Sequence, residues 1–322
     1  MAAKVLSSVL DDQARVPLVE FPPQDLLEII EGLTVEMLAS LMDATDLKAD
    51  TQEPKIRKIA EWALEYGLAS VCVNPVEVDF LPPLLKGSQV KECYVLDFPL
   101  GKSSLESKRR QAAETVDKSR ELRGEGPGQV ELDMVINVGR FKKDPEYTRA
   151  EIEAVVDGAD GELVKVIIRS GELTEEEIVR ACSLVKEAGA DFVKNSTGMD
   201  VMGATPEHLW LMRETVGPHF GVKAAGGISD AMTVVRLIYA AAREPELRDP
   251  LRFRIGTSAP LTILSTMDWI KAHPQGWVET RVIPCTICPH GQTSNQRREV
   301  REIYIKRCRT CPFRRYREDK DF

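Results

Sequence analysis

Residues 191–198 read Asp-Phe-Val-Lys-Asn-Ser-Thr-Gly, and residues 220–227 read Phe-Gly-Val-Lys-Ala-Ala-Gly-Gly. Each is a short apolar run that carries one lysine and ends on polar or glycine residues. Six more stretches are likewise short and largely apolar with polar or glycine residues at or near their ends: 41–47, 69–75, 92–99, 131–139, 163–170 and 253–259. Short apolar runs bounded by turn residues read as buried strands, although the first, interrupted by Asp43 and Asp46, is the least strand-like. Most gaps between them have room for a helix and two loops. The clearest helix spans 175–188. Thr174 and Glu177 form a capping box at its start, Ile178, Ala181, Leu184, Val185 and Ala188 share one face, and Gly189 stands where it should stop. Segments 105–123, 149–156 and 231–243 also carry helical spacing, as do 24–30 and 34–42 ahead of the first strand. Strand–helix alternation implies parallel strands with covering helices. Eight strands favour closure into an α/β (β/α)8 TIM barrel over an open doubly wound sheet.

Length and composition agree. The chain has 322 residues, 43% of them hydrophobic, and a net charge of −8. A barrel takes about 250 residues, so the expected division is an N-terminal helical extension (1–33), a barrel (34–272) and a C-terminal tail (273–322). No apolar run is long enough to span a bilayer and no signal peptide stands out, so a cytoplasmic protein without membrane contact is expected. The acidic balance argues against a surface that coats nucleic acid throughout.

Barrel enzymes place reacting groups at the C-terminal ends of their strands. Read in order, those ends supply Asp43, Asp133, Lys194 and Lys223. A lysine inside an apolar strand is costly to bury unless paired or functional. One account is an interior ion pair with Asp133. The chemical account is that an amine attacks a carbonyl only when unprotonated, and a second ammonium nearby favours that state. A carboxylate within reach then moves protons during imine and enamine formation. Spacing alone leaves open which lysine is the nucleophile. Gly226-Gly227 after the seventh run and Gly256-Thr257-Ser258 at the end of the eighth sit where barrel phosphate sites form from backbone N–H groups.

These stretches together resemble the deoxyribose-phosphate aldolase family. The matching segments include Leu-Met-Asp-Ala-Thr-Asp-Leu (41–47), Val-Cys-Val-Asn-Pro (71–75), Asp-Phe-Pro-Leu-Gly (97–101), Glu-Leu-Asp-Met-Val-Ile-Asn-Val-Gly (131–139), Val-Lys-Val-Ile-Ile (164–168), Ala-Gly-Ala-Asp-Phe-Val-Lys-Asn-Ser-Thr-Gly (188–198), Gly-Val-Lys-Ala-Ala-Gly-Gly-Ile (221–228) and Phe-Arg-Ile-Gly-Thr-Ser (253–258). They run in family order across residues 38–262. The resemblance implies a class I aldolase that reversibly cleaves 2-deoxy-D-ribose 5-phosphate to acetaldehyde and D-glyceraldehyde 3-phosphate, with no cofactor for catalysis. It implies Lys194 as the Schiff-base lysine, Lys223 as the lysine that perturbs it, Asp133 as proton relay and Asp43 as a supporting carboxylate. Gly198, Gly226, Gly227, Gly256 and Ser258 match positions around the substrate phosphate, and a homo-oligomer is the family's usual state.

Three departures bear on the far end of the substrate. Ser229 stands where the family usually has an arginine or similar donor, Ala259 where a second serine often closes the eighth-strand motif, and Arg169-Ser170 where Glu-Thr or similar ends the fifth strand. Lys165, Ile167 and Arg169 share one face by alternation. If Lys165 faces the interior, Arg169 sits at the mouth, where it replaces a lost phosphate contact or reads another acid group; a solvated rim arginine is the plainer alternative. A different, non-phosphorylated aldol is therefore the second functional reading.

Cys72, Cys93 and Cys182 lie singly among apolar residues and read as buried small side chains. Cys285, Cys288, Cys308 and Cys311 form two C-x-x-C pairs with nineteen residues between them. That spacing fits a four-thiolate structural zinc site in a tail with little core of its own, with an iron–sulfur cluster or redox dithiol as alternatives. The tail is also rich in arginine, but Glu299, Glu302, Glu318, Asp319 and Asp321 interrupt the charge. A face packed on an acidic barrel is favoured over a nucleic-acid contact. A third reading, a regulatory or nucleic-acid-associated protein acting through this tail, is opposed by the intact Lys194, Lys223 and Asp133.

Overall fold

The structure, a computed structural model, describes residues 19–200 and 202–272. Eight parallel strands close into a barrel in chain order: β1 (Met42–Thr45), β2 (Ser70–Val73), β3 (Lys91–Leu96), β4 (Val130–Val135), β5 (Leu163–Ile167), β6 (Phe192–Lys194), β7 (Gly221–Ala225) and β8 (Phe253–Thr257). Closure is explicit, because β1 pairs with β2 on one side and β8 on the other. Each strand falls inside its expected stretch, save that β3 and β4 begin one residue earlier. Cys285, Cys288, Cys308 and Cys311, the four expected zinc ligands, lie outside the described residues, as does most of the segment ahead of Phe21.

Helices wrap the barrel: α1 (Pro23–Gly32), α2 (Val35–Ser40), α3 (Glu53–Tyr66), α4 (Leu81–Leu85), α5 (Leu105–Arg123), α6 (Val138–Lys143), α7 (Pro145–Gly158), α8 (Glu175–Glu187), α9 (Pro206–Val216), α10 (Ala231–Ala241) and α11 (Pro260–Ala272). The α8 capping box forms as expected, with both reciprocal bonds between Thr174 and Glu177. Its buried face carries Ile178, Leu184 and Val185, each contributing about 1.5–3 kcal/mol by leaving water. Helix α7 starts earlier than its apolar spacing indicates. Asp144 accepts from the Tyr147 N–H, and Pro145 occupies the first turn, where a missing N–H costs nothing. The described part of the N-terminal extension packs onto the barrel: Leu26, Ile29 and Ile30 of α1 join the main core, and the Phe21 ring meets Tyr239 of α10 edge-on at 5.6 Å.

Alternation along the strands sends two sets of side chains to opposite faces. Val71, Leu132, Val164, Val193 and Val222 join the main apolar cluster shared with the helices. The other set faces the barrel axis and contains Asp43, Cys72, Cys93, Glu131, Asp133, Lys165, Lys194, Lys223 and Arg254, all buried. One layer nearer the N-terminal end, the Phe192 ring fills the interior. A Cβ at Gly221 would stand 2.3 Å from that ring, so the strand leaves room there for the aromatic plug.

Candidate active site

The interior ionic cluster is built around Asp133 on β4. Lys194 on β6 donates to Asp133 Oδ2 at 2.7 Å, and Lys223 on β7 donates to the same oxygen at 2.7 Å. Lys165 on β5 lies 3.1 Å from Oδ1 and 2.6 Å from Glu131. Lys223 also lies 2.5 Å from Asp43 on β1, and Arg254 on β8 bridges Asp43 at 2.5 Å and Glu131. Strand register brings the lysines together: Lys194 and Lys223 are direct partners across β6 and β7, as are Asp133 and Lys165 across β4 and β5. The cluster thus holds four cations, Lys165, Lys194, Lys223 and Arg254, against three carboxylates, Asp43, Glu131 and Asp133.

The members are not equivalent. Burial works against the charge on Lys223, but Asp133 and Asp43 override it and hold the ammonium firmly. Lys165 is held charged in the same way, against burial, by Asp133, Cys93 and Glu131. Burial also opposes ionisation of Asp133, yet Lys165, Lys194 and Lys223 keep its carboxyl well below the usual range. Asp43 is likewise depressed, by Arg254 and then Lys223. Lys165 and Lys223 are sealed at 0% exposure, whereas Lys194 retains 3% and has one carboxylate partner, Asp133, against two each for Lys165 and Lys223.

Known proteins share this arrangement of chain. The model of the DeoC/LacD family of aldolases matches residues 37–262. A deoxyribose-phosphate aldolase from Clostridium perfringens is 50% identical over 206 residues, covering 62% of this chain and 88% of that protein. One from Geobacillus is 46% identical over 229 residues, covering 70% and 94%. The deoxyribose phosphate aldolase from Aeropyrum pernix, described as having a unique tetrameric structure, superposes with a TM-score of 0.66 at 28% identity, over 77% of this chain and 99% of that one. The chain belongs to the DeoC/LacD aldolase family. It is a class I aldolase, a lyase.

The mouth of the aldolase barrel is made by the loops after β5, β6, β7 and β8. Gly226 takes φ +95°, and its backbone is crossed so closely by Gly203 that a Cβ on Gly203 would stand 2.4 Å from the Gly226 carbonyl oxygen. Gly198 and Gly227 also have positive φ, and the loops after β6 and β7 meet at Gly198 and Gly226. Gly256 is half-buried and Ser258 exposed at the end of β8. Arg169 departs from the strand alternation: β5 ends at Ile167, and Arg169 turns left-handed with φ +54°. Its guanidinium donates to Asp200 from Nε at 2.8 Å and Nη2 at 2.6 Å. Asp200 also accepts from Ser196 Oγ, Thr197 N–H and Thr197 Oγ1, so one carboxylate gathers the loop after β6. Arg169 is therefore neither a solvated rim residue nor a free anion receptor.

The structure brings Asp43, Asp133, Lys194 and Lys223 of the aldolase together as one connected set, and sets the glycines and Arg169 around the C-terminal ends of the strands. Sequence reading missed Arg254, Glu131 and Asp200 as partners and undercounted Lys165. Arg254 and Glu131 carried a usable signal: both are charges at inward positions of apolar strands. Cys72 and Cys93 correct a further expectation. Both are buried, but they stand beside Asp133 and each other rather than singly among apolar residues. Among the described residues, no helix is long and apolar enough to cross a membrane.

Proposed function

We propose that the chain reversibly cleaves 2-deoxy-D-ribose 5-phosphate to acetaldehyde and D-glyceraldehyde 3-phosphate through an imine on Lys194. The observation that carries this is the asymmetry among the interior lysines. Lys194 is the one with a single carboxylate partner and residual exposure, the properties an attacking amine needs.

In the cleavage direction the Lys194 amine adds to the substrate aldehyde, and loss of water gives the iminium. Deprotonation of the C3 hydroxyl then breaks the C2–C3 bond, releasing the phosphorylated aldehyde and leaving an enamine on Lys194. Protonation at C2 and hydrolysis release acetaldehyde. Asp133, shared by Lys194 and Lys223, is placed to pass protons with a water molecule. Lys223, held as an ammonium by Asp133 and Asp43, donates to the same Asp133 oxygen as Lys194 and so fixes the carboxylate that relays the proton. Asp43 fixes Lys223. Gly198, Gly226, Gly227, Gly256 and Ser258 would receive the phosphate through backbone N–H groups and one hydroxyl. Borohydride reduction in the presence of acetaldehyde tests the central step. An ethyl group should appear on the peptide carrying Lys194 and vanish in Lys194→Met; an adduct that survives that substitution would sink the assignment.

One observation favours a second substrate. Arg169 is already neutralised by Asp200, and Ser229 and Ala259 offer less to a phosphate than the family pattern does. A non-phosphorylated aldol handled by the same imine chemistry fits that mouth. Turnover of deoxyribose beside deoxyribose 5-phosphate separates the two. We further propose a cytoplasmic homo-oligomer, the tetrameric relative from Aeropyrum pernix supporting the assembly, and a structural zinc at Cys285, Cys288, Cys308 and Cys311, supported by the spacing of the two C-x-x-C pairs.

A further inference from the structure

Two buried nucleophiles take no part in the steps above. Cys72 on β2 and Cys93 on β3 are register partners on adjacent parallel strands, and both are fully buried on the inward face. Their sulfurs lie within 4.8 Å of each other and of an Asp133 carboxylate oxygen. Cys93 Sγ donates to Asp133 Oδ1 at 3.2 Å and lies 3.5 Å from Lys165 Nζ. Val95, Leu47 and Phe98 close the surroundings. Cys182 offers the contrast: it sits in the main apolar cluster, and burial alone pushes its thiol well up. The neighbouring Cys93 draws the Cys72 thiol down, burial opposes that, and Lys223 assists it. A thiolate, not a thiol, is the attacking species.

We propose that Cys72 and Cys93 form a peroxide-reactive dithiol that closes to an intrachain disulfide and switches the imine site off. The Cys72 sulfur attacks the O–O bond of hydrogen peroxide. A new S–O bond forms, and the departing hydroxide takes up the thiol proton as water, leaving a sulfenic acid. The Cys93 sulfur then attacks Cys72 Sγ. The S–S bond forms, the S–O bond breaks, and a second water carries off the Cys93 proton. Two thiols and one peroxide give one disulfide and two waters. Two equivalents of an external thiol restore the dithiol by exchange.

The backbone permits the bridge. Paired strands run about 4.8 Å apart, within the Cα separation a disulfide accepts. Peroxide is smaller than any carbonyl substrate that reaches Lys194. Closure consumes the Cys93 S–H, so Asp133 Oδ1 loses a donor and Lys165 loses a sulfur acceptor. Asp133 is the shared partner of Lys194 and Lys223, so its shift would reach the imine lysine directly. This last consequence rests on the proposed role of Lys194; the disulfide itself does not.

The test uses the full-length chain treated with hydrogen peroxide, alkylated, and digested with trypsin without reduction. Lys86 and Lys91 separate the two cysteines, so the bridge appears as a cross-linked pair of peptides. The expected result is a Cys72–Cys93 cross-link that rises with peroxide, disappears with dithiothreitol, and is absent from Cys93→Ala, while Cys182 stays reduced. In the same samples, borohydride-trapped acetaldehyde on Lys194 should fall about a hundred-fold, the cost of a displaced proton relay, and recover with dithiothreitol. A missing cross-link at peroxide doses that oxidise the tail cysteines, or Cys72 joined to Cys182 as often as to Cys93, would overturn the dithiol. A cross-link that leaves trapping unchanged would overturn the switch. If untreated protein traps no acetaldehyde, the function proposal fails while the cross-link is still read independently.

Discussion

Two of the ionic clusters buried among the described residues are built to opposite rules. On the outside of the barrel, Arg123 of α5 is 1% exposed and all three of its nitrogens donate: Nε to Glu125, Nη1 to Glu92 at 3.0 Å, and Nη2 to the carbonyls of Leu85, Ser88 and Val90. Glu92 is satisfied in turn by Ser119 and by Tyr94 at 2.9 Å. Inside the barrel, four cations share three carboxylates, and Asp133 Oδ2 serves two lysines at once. The first cluster ties α5 to β3 and to the segment that leads into it. The second leaves one amine under-coordinated. Buried charge by itself marks neither stability nor catalysis. A surplus of one sign, with one member facing the mouth, is what distinguishes a site from a staple.

The comparison breaks most directly at Lys194. Lys194→Met should lower turnover toward background, on the order of a million-fold as for other covalent nucleophiles, while thermal unfolding changes little. Removing the surplus cation relieves the interior rather than orphaning a carboxylate, since Asp133 keeps Lys165 and Lys223. A large drop in melting temperature would mean that Lys194 is a staple as well. Lys223→Met should cost about a hundred- to ten-thousand-fold in kcat, because the Asp133 oxygen that Lys194 shares loses its second ammonium donor. An unchanged kcat would remove Lys223 from the proton-transfer set.

The outer cluster should respond in the other currency. Arg123→Ala leaves Glu92 buried without its cation and should cost about 3–5 kcal/mol of stability, read by urea denaturation. Borohydride trapping at Lys194 should survive at temperatures where the variant stays folded. Loss of trapping in folded Arg123→Ala would show that the two clusters are coupled through β3, which carries Glu92 and Cys93 side by side.

Much of this was legible in the chain. The strands announce themselves because both barrel faces of each are largely apolar apart from the buried charges, and α8 because its cap and apolar face coincide. Helices α3, α9 and α11 were not singled out, and each has proline in its first turn. Proline reads as a breaker unless its position at a helix start is recognised. Lys194 and Lys223 stood out because a lysine in an apolar strand needs a reason. Which of them has fewer partners depends on the shear of the barrel, which sets Asp43 against Lys223 and not Lys194, and no local pattern encodes that. The pairing of Cys72 with Cys93 was hidden for the same reason: register across strands is a property of the closed sheet. Arg169 misled by alternation, since its left-handed turn takes it out of the strand that the period assumes.

The smallest expected effects lie at the mouth, where Arg169 and Asp200 decide between a staple and a receptor on a finer scale. If the substrate carries phosphate, Arg169 must trade Asp200 for it, and the carboxylate competes with the ligand. Arg169→Ala should then raise the KM for deoxyribose 5-phosphate and leave that for deoxyribose unchanged, by about 1.5–3 kcal/mol, or roughly ten- to a hundred-fold. Asp200→Asn should lower it several-fold, since the neutral amide still accepts from Ser196 and Thr197 but no longer holds the guanidinium as tightly. If the pair only shapes the loop after β6, both substitutions loosen that loop and raise the two KM values together. Opposite signs for the two variants on the phosphorylated substrate alone make Arg169 a receptor; equal signs on both substrates make it a staple, and the mouth then joins the outer cluster in kind.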